Sequence, residues 1–320
     1  CITITPNIVV GGNVSASQTI CNNNTPAPLT LSGATVGATL QWESSTNTTN
    51  CVNGTWTTIP GATLATYTPS ALTVTTYYRV SVTSTVNGVS CSTYSNCVTI
   101  TVNPAVDPGS INSNQTVCHG GNPAAFTGSA VSGANHYQWQ ISTDNTNFTD
   151  IFGATAEGYD APGPINQITY YRRIAFATQN GIVCQSNPTS SVTVFVNQIV
   201  GTPTITGTQS ACSIATVMAL TVTAHPTGTG TRTYYWQSST TGCAGTWTDV
   251  TPAATGNSYT PTGAFTATTH YRIRVSSTLN GVICTDVFSN CIEVTYTGKT
   301  WNGSVNTDWD NPNNWTPNGI

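Results

Sequence analysis

One order of markers runs three times through this chain. Each pass opens on a cysteine: Cys21, Cys118 and Cys212. A tryptophan in an apolar run follows: Trp42 after Gln41, Trp139 between Gln138 and Gln140, Trp236 between Tyr235 and Gln237. An aromatic pair with arginine comes next: Tyr77-Tyr78-Arg79, Tyr170-Tyr171-Arg172 and His270-Tyr271-Arg272. Each pass then reaches Asn-Gly and a second cysteine: Asn87-Gly88 before Cys91, Asn180-Gly181 before Cys184, Asn280-Gly281 before Cys284. A period of roughly a hundred residues is the length of one small domain. The chain is therefore a series of similar units, and any fold proposed for one must serve all three.

Within a unit the pattern is that of strands. Val98, Ile100 and Val102 alternate with Thr99, Thr101 and Asn103, and Val192, Val194 and Val196 repeat this. Period-two alternation marks a half-buried strand. Asn-Gly between two such runs favours a type I′ hairpin, whose two central residues need positive φ. Thr, Val, Tyr and Ile suit a pleated surface, and no stretch carries a helical apolar period. One core tryptophan per unit, in the third strand, points to tandem immunoglobulin-like β-sandwiches. Packing between the sheets is the role expected of Trp42, Trp139 and Trp236. The fold class is all-β, in an elongated, disulfide-stapled array. The expected divisions are 13–104, 105–200 and 201–298 for the repeats. Residues 1–12 form the last strand of a preceding repeat plus a linker, because Cys1-Ile-Thr-Ile-Thr-Pro-Asn7 matches Cys97-Val-Thr-Ile-Thr-Val-Asn103. Residues 299–320 open a different Trp/Asn-rich β module. The joins carry Pro104, Pro108 and Pro203, which stiffen them.

Eleven cysteines imply an oxidising compartment. Repeats one and three hold four each: Cys21, Cys51, Cys91, Cys97 and Cys212, Cys243, Cys284, Cys291. Repeat two keeps only Cys118 and Cys184. A bridge should vanish as a pair, so Cys51–Cys97 and Cys243–Cys291 form one set. The other set is then Cys21–Cys91, Cys118–Cys184 and Cys212–Cys284. Cys1 is left over and expects a partner upstream; a lipid-bearing or intermolecular Cys1 is the rival reading. No spacing fits a zinc site.

The composition excludes several function classes. Only 6% of residues are charged, the formal net charge is −4, and Lys299 is the sole lysine. Without a basic patch, nucleic acid is not an expected partner. Arg172-Arg173 and the Arg272/Arg274 alternation read as outward-facing strand residues. No apolar run is long enough to span a membrane. The four histidines, His119, His136, His225 and His270, occupy different repeat positions, so no catalytic constellation recurs. His270 stands where Tyr77 and Tyr170 stand, which suggests aromatic packing. No catalytic residue, cofactor or metal is expected in this segment.

The end of the chain departs from the repeat. Trp301, Trp309 and Trp315 fall close together among asparagines and Asp308 and Asp310. They are candidates for stacking on a glycan. Asp308, Asp310 and Asn313 could ligate calcium, although the segment departs from the EF-hand pattern. Packing into the next domain is the simpler role.

The order Cys, Gln/Tyr-Trp, Tyr-Tyr-Arg, Asn-Gly, Cys resembles the immunoglobulin-like repeats of very large Bacteroidetes cell-surface adhesins, including gliding-motility adhesins of type IX secretion. The resemblance implies a location outside the cell, on the bacterial outer surface, and a stalk or adhesive role. Partners would be neighbouring repeats of the same chain, and surface glycans or other cell-surface proteins. Two other readings fit the same residues: accessory modules of a secreted polysaccharide-active enzyme, and a self-assembling surface filament subunit.

Overall fold

A computed structural model describes residues 6–49, 53–212, 216–263 and 265–316. The chain is all-β, with no α-helix among the described residues. Two compact units divide it. The first holds all of repeat one and residues 105–112, 126–159 and 171–191 of repeat two; the second holds residues 113–125 and 160–170, and the chain from 192 onward, which includes repeat three.

In the first unit, repeat one is an immunoglobulin-like sandwich. One sheet orders the strands Asn13–Val14, Leu29–Ser32 and Thr66–Tyr67. The other orders Gln18–Cys21, Val98–Asn103, Thr76–Val86, Thr39–Ser45 and Thr57–Thr58. Gln18–Cys21 runs parallel to Val98–Asn103, with Cys21 opposite Asn103. All other pairings in this sheet are antiparallel. Trp42, Leu29, Val80, Val82 and Ile100 are fully buried between the sheets. The Trp42 indole N–H donates to Leu64 O at 2.8 Å, which removes the cost of burying a polar group.

The strand Thr76–Val86 is eleven residues long. Its burial alternates through Thr76, Tyr78, Val80 and Val82 and then stops. The outer half therefore has no core beneath it. It continues with Val89–Tyr94 as a hairpin, and positive φ at Asn87 and Gly88 closes the turn. Asn180-Gly181 and Asn280-Gly281 turn in the same way.

The part of repeat two in the first unit carries Ala134–Ser142 and the hairpin strand Ile182–Gln185. Trp139 is buried among Phe126, Tyr159 and Tyr171, and its N–H donates to Ala156 O at 3.1 Å. One expectation is corrected here: Arg173 does not face outward. It stands at the core position that Val80 and Ile273 fill in the other repeats, and it is completely buried. Its guanidinium donates to Glu157 O at 2.6 Å and Ser129 O at 2.8 Å and lies 4.0 Å from the Tyr137 ring centroid. Gly128 makes room, since a Cβ there would come within 2.1 Å of Arg173 Nη1.

In the second unit, repeat three reproduces both sheets. One orders Thr204–Thr206, Leu220–Ala224 and Ser258–Tyr259. The other orders Gln209–Ala211, Ile292–Tyr296, Thr269–Leu279, Thr231–Ser239 and Thr248–Asp249. Trp236 is buried and donates to Gly256 O at 2.9 Å. Ile199–Val200 pairs antiparallel with Thr227–Gly228. Gln115–Cys118 runs parallel to Val192–Asn197, with Cys118 opposite Asn197.

Candidate functional site

The recurring constellation joins one repeat to the next. In the first unit, the hairpin strand Ile182–Gln185 of repeat two brings Cys184 to Cys21 of repeat one; the two are bonded, with Cα atoms 5.5 Å apart. Asn103, on the strand beside Cys21, is fully buried. Its amide donates to Gln179 O at 2.8 Å, and Asn180 of the turn donates to Asn103 Oδ1 at 2.7 Å. The same device stands in the second unit. Cys118 is bonded to Cys284, again at a Cα separation of 5.5 Å. Asn197, opposite Cys118, donates to Ser277 O at 2.9 Å and Val282 O at 2.8 Å. Asn280 of the turn donates to Thr116 Oγ1 at 3.0 Å. Each clamp is thus one covalent bond and one buried amide, placed side by side by a parallel strand pair.

This corrects the expected Cys21–Cys91, Cys118–Cys184 and Cys212–Cys284 bridges. In repeat one, Ser84 stands opposite Cys91, while Ile100, three residues before Asn103, stands opposite Thr76. Cys21 and Cys91 are therefore about eleven residues of strand apart, roughly 35 Å, far beyond the ~7 Å that a disulfide tolerates between Cα atoms. Cys284 opposite Ser277 and Ala211 opposite Tyr296 give the same separation in repeat three. Cys91 and Cys212 have no sulfur partner among the described residues. Cys243 and Cys291 are bonded within repeat three, Cα atoms 5.8 Å apart. Cys97 is disulfide-bonded as well; its expected partner Cys51 lies outside the described residues, as does Cys1.

The clamp asparagines were not singled out from the sequence. Their signal was present: Asn7, Asn103 and Asn197 close the same Thr/Val-rich phrase. Beside the Cys21–Cys184 bridge lies a polar cleft of about 350 Å³, lined by Asn22, Asn24, Thr73, Pro104, Gln185 and their neighbours. Its lining carries no carboxylate or imidazole to move a proton.

Several other titratable groups are engaged by neighbours in their own repeat. Arg79 lies between the Trp56 and Tyr94 rings, 4.2 and 3.7 Å from their centroids, and donates to Glu43 Oε2 at 2.8 Å. Arg272 lies likewise between Trp247 and Phe288, and Arg172 covers Phe148. Arg274 pairs with Asp286 at 2.9 Å and Asp249 at 3.3 Å. His270 meets Glu293, at 3.3 Å, rather than an aromatic neighbour. The Asp144 carboxyl is held well below the usual carboxylate range, first by the backbone N–H groups of Asn147 and Thr146 and then by the side chains of Asn147 and Ser142. Among the described residues no group of three or more His, Cys, Asp or Glu could hold a metal ion, and no helix is long and apolar enough to cross a membrane.

The terminal tryptophans are brought together. Thr300–Trp301 pairs with Trp315–Thr316, and the Trp301 and Trp309 rings stack at 5.3 Å and 13°. Trp315 meets Trp309 edge-on, and its N–H donates to Trp309 O at 2.9 Å. The fully buried Asn314 organises the loop: its Oδ1 accepts from Val305 N and its amide donates to Asp308 O. Asp308 Oδ1 is engaged by the Asp310 N–H.

A model of the domain of unknown function DUF8696 matches the chain three times, over residues 10–104, 107–198 and 201–298. The chain belongs to this family. Three DUF8696 repeats thus stand in tandem, and the clamps join consecutive members. No curated protein matches the chain significantly. Among solved structures, a stretch of consecutive titin domains is 16% identical, with a TM-score of 0.37, covering 89% of this chain and 97% of that one. Three N-terminal domains of the bacteriophage RB49 highly immunogenic outer capsid protein are 11% identical, with a TM-score of 0.37 and coverages of 90% and 99%. The FN1–FN3 domains of chicken CNTN1 are 13% identical, with a TM-score of 0.26 and coverages of 89% and 97%. Disulfide-bonded DUF8696 repeats in series suggest a structural or adhesive segment outside the cytoplasm.

Proposed function

We propose that this segment is the stalk of a bacterial surface adhesin, a load-bearing and spacing element with no catalysis of its own. One observation carries the reading: consecutive repeats are bolted by a disulfide and a buried asparagine at each clamp. A chain of freely jointed domains needs no such bolts. A stalk under shear does, because an interface between domains of one chain is ordinarily weak and mobile. The test is fractionation of intact cells under conditions that trap thiols. The expected result is protein accessible at the outer surface with Cys21 and Cys184 oxidised; protein in the cytoplasm with these thiols reduced overturns the reading.

A second reading attaches to the tryptophan module. Trp309 is 61% exposed while its far face is stacked on Trp301. A rigid, half-open indole is a platform on which a sugar ring stacks. The segment would then present glycan contact beside an enzyme or at an adhesive tip. Binding on a glycan array that Trp309→Ala abolishes supports it; array binding unaffected by that substitution removes it.

A further inference from the structure

We infer that Cys91 is the receiving half of a third clamp, and that its partner is the cysteine closing the corresponding strand of a further DUF8696 repeat that precedes repeat one in the same polypeptide. Cys91 occupies the hairpin position of Cys184 and Cys284, and both of those are bonded to the cysteine at the end of the preceding repeat's parallel strand. Cys91 itself is half-buried and has no sulfur partner among the described residues.

The non-covalent half of this third clamp is already assembled. The Asn7 amide donates to Ser84 O at 3.0 Å and lies 3.4 Å from Val89 O. Asn197 reaches the equivalent carbonyls of Ser277 and Val282. Asn7 is also held where it stands. Val10 N donates to Thr35 Oγ1 at 2.7 Å and Thr35 N to Val10 O at 3.1 Å, and Gly11 sits so close to Tyr94 O that a Cβ would reach within 2.0 Å of it. In both complete clamps the residue opposite the asparagine, across the parallel ladder, is the bonded cysteine. The strand that completes the ladder beside Asn7 therefore carries a cysteine opposite it.

Cys212 of a second copy is the rival occupant, and the geometry disfavours it. Ala211 stands opposite Tyr296, so Cys212 comes opposite Thr297, which has no amide to clamp a hairpin. Its strand edge is already filled by Ile292–Tyr296, which would contest the place held by Asn7. The order to look for in the preceding repeat is that of Gln18-Thr-Ile-Cys21, Gln115-Thr-Val-Cys118 and Gln209-Ser-Ala-Cys212.

Peptide mapping of the full native protein tests this. The protein is purified without reductant, its free thiols are alkylated, and it is digested unreduced. The expected result is the Cys91 peptide linked to a peptide bearing Gln-Thr/Ser-x-Cys from a preceding repeat, alkylated only after reduction. Cys91 recovered alkylated, or linked to Cys21 or to Cys212, overturns the inference, as does a native chain with no such cysteine upstream. The Cys21–Cys184 peptide in the same digest separates this inference from the stalk reading. A free Cys91 beside an intact Cys21–Cys184 bridge sinks the third clamp alone; reduction of both sinks the two together.

Discussion

Arg173 is the residue at which repeat two departs most from its neighbours. It spends a core position on a cation that two backbone carbonyls and a tyrosine face must satisfy. Removing it takes the donor from the part-buried Glu157 O and Ser129 O, and opens a cavity. Arg173→Ala is expected to lower the stability of repeat two by about 3–5 kcal/mol in urea titrations. Arg173→Ile, which copies repeat three, should cost less, because it refills the volume. The buried tyrosines set an alkaline limit. Burial, with Tyr67, Tyr159 and Tyr259 as neighbouring phenols, pushes Tyr78, Tyr171 and Tyr271 up from 10.0 to about 12. The folded state prefers the neutral phenol, so stability is intact below pH 10 and lost as the pH rises towards 12. Each phenol weakens folding by roughly 1.4 kcal/mol per pH unit in that window. A spectroscopic titration should therefore show these tyrosinates appearing together with loss of far-ultraviolet dichroism; ionisation before unfolding would contradict the burial.

At the scale of elements, the projecting hairpin and the Asn–Cys strand pair act as one joint. Asn197→Ala removes two donors and strands Ser277 O and Val282 O. A loss of about 1–3 kcal/mol from local opening should make reduction of Cys118–Cys284 roughly five- to 150-fold faster. The Cys243–Cys291 bridge in the same molecule serves as the control, and its rate should not move. Much of this element structure was legible in the sequence. Period-two alternation located the strands, one tryptophan per repeat located the core, and Asn-Gly located the turns. The Cys243–Cys291 pair was legible from the joint loss of its counterparts in repeat two; the pairing of the opening and hairpin cysteines was not, for a definite reason. Every repeat has one opening cysteine and one hairpin cysteine, so counting them gives the same answer whether a bridge closes on its own repeat or shifts to the next. Only strand length distinguishes the two. Eleven residues from Thr76 to Val86 overrun the buried span and carry Cys91 away from Cys21. Arg173 was misread because its strand alternation is regular; nothing in the pattern says that Gly128 has cleared a pocket for it.

At the scale of the whole molecule, the two clamps overlap along the chain: Cys21–Cys184 is not yet closed when Cys118–Cys284 begins. The covalent path from Cys21 to Cys284 therefore crosses one bridge, returns along the chain from Cys184 to Cys118, and crosses the other. That path contains about 66 residues and spans at most ~230 Å when extended, against about 260 residues and ~900 Å without bridges. Pulling a single molecule should show this several-fold gain in extension on adding reductant; equal lengths in both states would contradict the overlapping bridges. The same overlap has a consequence in time. Cys21 is made 163 residues before its partner Cys184, and Cys91 is made in between. Oxidation of a nascent, unfolded chain favours nearer thiols and traps Cys21 with Cys51 or Cys91, whereas the native bond waits for the hairpin of the following repeat to fold. Repeats one and two are each chemically finished only by their successor, so an oxidant that arrives early damages the array and one that arrives late completes it.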